Sequence, residues 1–203
     1  MGLRSVTIGY AEADICSGAI KQIQSGNNLT RSSTIELEAA EKFVSLFPSC
    51  DMVKFCKNGS NATSAAVKIA RAYTGRPIVC IPRQHPFFSF DDWFIGTTPV
   101  SRGVSLDASK HTAVFDFNDL ASLENLFSQF PGQIAAVMME PSTHLTPCHD
   151  GYCPSSLDEV KSKSCRSKKK NFLHQVQSLC EKHGSIFILD EMITGFRWDL
   201  GGA

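Results

Sequence analysis

Apolar positions along this chain alternate between a helical spacing and short unbroken runs. From Ala11 to Gly26, Ile15, Ala19, Ile20 and Ile23 fall on one face, which predicts a helix that Gly26 ends. TIELEAAEKFVSLFP predicts a second helix, capped by Thr34, with Glu36 and Glu38 in its first turn and Pro48 just past its end. MVKFC (52–56) reads as a short strand. NGSNATSAAVKIARAYTG reads as a loop entering a helix that turns Ala62, Ala66, Ile69 and Tyr73 inward and ends at Gly75. PIVCIP, TAVFDF, IAAVMME and SIFILDE read as further strands. Helices are predicted from Asn118, as the cap, to Phe130, and over NFLHQVQSLCEKHG. After PIVCIP, the stretch RQHPFFSFDDWF is aromatic-rich and irregular.

Strands alternating with helices predict an α/β fold of three layers. A mainly parallel sheet carries helices on both faces, and ligands belong at the carboxyl ends of its strands. One segment stands apart. Residues 149–171 contain six basic residues between Lys161 and Lys170 and almost no large apolar side chains. They read as an exposed basic insertion. A solvated loop is the favoured use of the charge run over 158–170, ahead of a patch for polyanions.

Composition narrows the function classes. The 203 residues suffice for one domain with a sizeable core, or for a domain plus part of another. Lys+Arg and Asp+Glu are both 20, so no global charge favours nucleic acid or an anionic membrane. No apolar run approaches the ~20 residues of a membrane helix, and the first ten residues do not form a secretory signal. The 8 cysteines are scattered, with Cys56 and Cys80 in runs that read as buried strands. That pattern predicts reduced, cytoplasmic cysteine rather than a disulfide frame. Cys148, Cys153 and Cys165 do not have the spacing of paired zinc knuckles, so no metal site is expected.

Three stretches carry candidate chemistry. Asp190 stands at the exit of an apolar strand. A nucleotide-hydrolase reading needs a Gly-rich loop ending in Lys-Ser or Lys-Thr, and the chain has no Gly-Lys pair. The other use of such a carboxylate is to hold a protonated pyridine nitrogen, although the stretch taken alone favours an ordinary strand exit with exposed acids. Gly59-Ser60 opens a helix, where free amides form a site for a phosphate, although the stretch taken alone favours a plain Gly turn with an Asn or Ser cap. Phe87, Phe88, Phe90 and Trp93 could cover a planar ring or pack in the core.

Taken in order, MVKFCKNGSNATSAAVKIARAYTGR, FFSFDDW, AAVMMEP and FILDEMITGFRWDLGGA resemble class III pyridoxal-phosphate aminotransferases. The resemblance is closest to glutamate-1-semialdehyde 2,1-aminomutase and its relatives, and it spans nearly the whole chain apart from the insertion. It implies fold type I of the pyridoxal-phosphate transferases, pyridoxal 5'-phosphate as cofactor, a small-molecule amino donor and carbonyl acceptor, and a homodimer at full length. It implies no nucleic-acid or membrane partner. By this resemblance Asp190 pairs with the ring nitrogen, the amides of Gly59 and Ser60 hold the phosphate, and Phe87 and Met192 cover the two ring faces. Glu140 matches the acid of the family's Glu-Pro strand end. Ser60, Asn61 and Phe88 replace a usual Thr, Glu and His. The family's cofactor-holding lysine lies on a later strand, and no lysine here matches it. Residues 1–203 are therefore expected to be part of the cofactor-binding large domain, without the C-terminal small domain and inactive alone. The alternative is a non-catalytic cofactor-binding or interaction module derived from such an enzyme.

Overall fold

The computed structural model describes residues 5–26, 30–85, 87–105, 107–148 and 171–202. The chain forms two compact units, Met1–Lys54 and Phe55–Ala203. In the first, helix α1 (Ala13–Gln24) starts at Glu12, whose carboxylate accepts the Ile15 amide at 2.9 Å. Helix α2 (Thr34–Leu46) starts at Ser33 rather than Thr34. Ser33 Oγ accepts the Glu36 amide, and Glu36 Oε2 accepts the Ser33 amide at 2.8 Å. The cap must occupy extended backbone outside the helix, and Ser-x-x-Glu satisfies two open donors reciprocally. The apolar face expected on α1 is present, but Ile15, Ile20 and Ile23 are exposed.

The second unit is built on a parallel sheet of β1 (Ile78–Pro82), β2 (Thr112–Phe115), β3 (Ile134–Met139) and β4 (Ile186–Leu189), in the order β2-β1-β3-β4. Every residue of β1 and β3 is buried, as their unbroken apolar sequences require of strands covered on both faces. Alternation along the strands divides the core. Ile78, Cys80, Val137 and Met139 face α5 (Leu120–Gln129) and α6 (Phe172–His183), packing with Leu123, Phe127, Phe172 and Val176. Val79, Ile81 and Met138 face α3 (Gly59–Thr74) and the short α4 (Asp92–Ile95), packing with Val67, Trp93 and Phe94. This is the expected three-layer α/β arrangement. Leu123 is fully buried in the first of these clusters. Leu123→Ala is expected to cost about 3 kcal/mol, read as a lower urea midpoint.

Several local expectations are corrected. Met52 to Cys56 forms no strand, and Met52 and Cys56 are exposed. Apolar character alone does not make a strand; the backbone needs a neighbour to accept and donate its hydrogen bonds. Cys56 is therefore not in a buried strand. The inward face of α3 carries Ser60, Val67 and Ala70, while Ile69 and Tyr73 are exposed. Those two side chains instead line a groove of about 330 Å³ with Ala66, Ala70, Ile186 and Ile188. The buried face is the one whose small residues and hydroxyls let the helix approach the sheet. Asp119, not Asn118, caps α5 through the Ser122 amide. Asn118 has φ 66°, a backbone region Asn tolerates, and its side chain binds Thr146 O and the Cys148 amide at 2.9 and 3.0 Å.

Cys16, Cys50, Cys56, Cys80 and Cys180 are free thiols, as expected of reduced cysteine without a disulfide frame, whereas Cys148 departs from that expectation in being disulfide-bonded. Burial pushes the Cys180 thiol up to about 12, so it is inert at neutral pH. Residues 149–170 of the basic insertion lie outside the described residues, and Asn171 is the N-cap of α6. No helix among the described residues is long and apolar enough to cross a membrane.

Candidate active site

The predicted site residues occupy the carboxyl side of the sheet and the amino end of α3. Asn58 does cap α3: its Oδ1 accepts the Asn61 amide at 3.0 Å, and its carbonyl accepts the Ala62 amide. The amides of Gly59 and Ser60 remain in the open first turn, without intrahelical acceptors and at the positive end of the helix dipole. Capping and anion binding are therefore compatible here.

The first turns of α3 also anchor the aromatic loop. Ser60 Oγ accepts the Phe90 amide at 3.2 Å, and Thr63 Oγ1 donates to Phe88 O at 2.8 Å. Ser64 Oγ hydrogen-bonds the Asp91 carboxylate and accepts from Trp93 Nε1 at 2.8 Å. The tether separates two adjacent rings. Phe88 is 2% exposed and packs edge-on against Phe94, whereas Phe87 is 51% exposed. Phe88 is thus a core residue, and Phe87 is the accessible ring.

At the other end of the site, Asp190 extends the β3–β4 ladder, its amide donating to Met139 O at 2.9 Å. Its Oδ1 accepts the Met192 amide at 2.9 Å. Desolvation by burial raises the Asp190 carboxyl above the usual carboxylate range, and the Met192 amide pulls the other way. Among the described residues no cationic side chain pairs with it. Met192 is 68% exposed and reaches back to α3: a Cβ on Gly59 would lie 2.8 Å from Met192 Cε. The fold thus joins Gly59, Met192 and Asp190 directly, and joins Ser60 to Phe87 through the loop.

Sequence reasoning missed His85, which is 4% exposed. Its Nδ1 accepts the Glu140 amide at 3.0 Å, and the ring lies 4.9 Å from Phe117 and 5.7 Å from Phe88. Nε2 is buried without a partner among the described residues. A single His after a strand gives no signal of such packing in the sequence. Glu140 is buried as well. Burial, with His144 contributing, lowers the His85 pKa to about 4 from 6.5. The unfolded chain takes up this proton near 6.5 and the folded chain only near 4. The stability His85 contributes is therefore complete above about 6.5 and is lost as pH falls toward 4. Asp190, with its raised pKa, acts in the opposite sense. Urea midpoints measured from pH 7 to pH 4 are expected to fall less steeply in His85→Asn than in the unmodified chain.

No protein-family model matches the chain. Solved structures do. A FumI protein of Sphingopyxis sp. MTA144, in its PLP internal aldimine form, is 28% identical, with a TM-score of 0.70 over 90% of this chain and 39% of that one. An omega-transaminase from Sphaerobacter thermophilus is 25% identical, with a TM-score of 0.75 over 96% and 43%. A glutamate-1-semialdehyde aminomutase from Pseudomonas aeruginosa PAO1 shares the fold at 20% identity and a TM-score of 0.66, over 92% and 38%. The chain's structural neighbours are thus class III aminotransferases, with an aminomutase among them, and the chain has fold type I of the pyridoxal-phosphate transferases. The resemblance read from its motifs therefore extends to three dimensions. The chain spans about two-fifths of the length of these proteins.

Proposed function

We propose that this chain is part of a cofactor-binding large domain that holds pyridoxal 5'-phosphate in an aminotransferase or aminomutase. The observation that carries the reading is the convergence at Met192. Its amide binds Asp190 Oδ1, and its methyl group meets the space beside Gly59. A carboxylate and an anion cradle thereby share one site. The residues fit the group on two counts. Asp190 is desolvated and has no cationic partner among the described residues, so a protonated ring nitrogen would relieve the burial cost of its charge. The Gly59 and Ser60 amides would receive the phosphate with no cationic side chain required.

When bound, the cofactor supplies an electron sink that stabilises a carbanion next to the amino group. The chain's residues bind and orient it. Asp190 would keep the ring nitrogen protonated. Phe87, held out by the loop tied to Ser60 and Thr63, would cover one face and Met192 the other. The full protein would act on a small amino donor and a carbonyl acceptor, as a cytoplasmic homodimer.

The same structure favours inactivity of these residues alone. Among the described residues, those that directly follow β1, β3 and β4 are Arg83-Gln84-His85, Glu140-Pro141 and Asp190-Glu191, which include no lysine amine to hold the cofactor covalently. This also supports the second reading, a non-catalytic module that binds the cofactor. The 203-residue chain with added pyridoxal 5'-phosphate is expected to transfer amino groups no faster than the free cofactor. Saturable cofactor binding without turnover fits both readings; turnover above the free cofactor contradicts inactivity, and absent binding contradicts the site.

A further inference from the structure

We propose that His85 is a positioning residue of this site: its imidazole fixes the exit of β3 against that of β1, and through it the position of Asp190. The proposal rests on reading Asp190 as the residue that faces the cofactor. Four chain segments leave the sheet in the order of their strands. Phe117 follows β2, His85 follows β1, Glu140 follows β3 and Asp190 follows β4. A turn closed by the His85 amide on Pro82 O at 3.3 Å sets the imidazole over the sheet end. The backbone pairing of β1 with β3 stops at Cys80 and Val137. Beyond it, His85 Nδ1 serves as the acceptor that the ladder no longer provides for the Glu140 amide. The residue before Glu140, Met139, accepts the Asp190 amide at 2.9 Å. Phe117 and Phe88 flank the ring.

An amide N–H only donates, so Nδ1 is the unprotonated nitrogen and Nε2 carries the hydrogen in the neutral ring. That hydrogen has no acceptor among the described residues. Among the described residues His144 acts electrostatically on the ring, and burial, the larger cause, lowers the His85 pKa and keeps the ring in this form at neutral pH.

Two amide variants separate positioning from space filling. His85→Asn puts an acceptor where Nδ1 stands. His85→Gln, closer to histidine in size, puts its amide where Nε2 stands. Losing one net hydrogen bond of about 1 kcal/mol corresponds to about fivefold faster amide exchange. We expect at least that acceleration at Glu140 and Asp190 in His85→Gln and near-normal exchange in His85→Asn, with pyridoxamine 5'-phosphate affinity following the same order. Equal exchange in the two variants, or a faster Glu140 amide with an unchanged Asp190 amide, would overturn the proposal. If the exchange pattern holds but the unmodified chain binds no pyridoxamine 5'-phosphate, the cofactor reading fails while the positioning role stands.

Discussion

Asp190→Ala is expected to lower the turnover of the cofactor-loaded full-length protein by on the order of 10²-fold or more. The argument starts from desolvation. Burial raises the carboxyl's pKa, and a hydrogen bond from the Met192 amide favours its ionised form. A protonated ring nitrogen beside it would complete a charge-assisted hydrogen bond worth about 1.5–3 kcal/mol, and each 1.36 kcal/mol in a barrier is about tenfold in rate. The loss exceeds that of the hydrogen bond, because an unprotonated ring is a weaker electron sink. Asp190→Asn separates charge from shape. It retains an oxygen for the Met192 amide and removes the negative charge, so its turnover should fall nearly as far while its thermal midpoint stays closer to the unmodified value. Single-turnover rates and the visible absorbance of the bound cofactor would test this. Near-normal turnover in both variants would reject the assignment.

The sequence was most readable where one interaction decides the outcome. IAAVMM is apolar throughout because β3 is covered on both faces, and the residues of α6 alternate because one side meets the sheet. Prediction failed where the outcome depends on a partner. MVKFC has strand-forming residues, yet nothing pairs with it among the described residues. On α3, Ile69 and Tyr73 suggested the buried face, but Ser60 and Thr63 point toward the loop because their hydroxyls find Phe90 and Phe88 there. The site residues came from motifs and their resemblance to a family, not from periodicity. Their convergence became visible only when Gly59 met Met192. His85 lay beyond sequence reasoning because its burial and tautomer are set by an amide 55 positions away.

Gly59→Val is expected to weaken pyridoxal 5'-phosphate binding by about 100-fold, close to 3 kcal/mol, with little loss of fold stability. Gly59 is not needed for an unusual backbone, since it begins α3 in ordinary helical conformation and has no positive φ. Its value is space. A Cβ would come within 2.8 Å of Met192 Cε, the free end of a flexible and largely exposed side chain. Met192 can swing away, so the fold should tolerate the substitution. Valine's two methyl groups would then occupy the volume in front of the Gly59 and Ser60 amides, where an anion must come to use them. Ser60→Ala probes the same turn differently. It leaves both amides in place but removes the hydroxyl that accepts the Phe90 amide at 3.2 Å. Freeing the loop that carries Phe87 should cost about 1 kcal/mol, or roughly fivefold in affinity. Titrating the cofactor by absorbance against both variants, alongside their thermal melts, compares the two effects. Equal losses, or undiminished binding in Gly59→Val, would remove the backbone amides as the phosphate cradle.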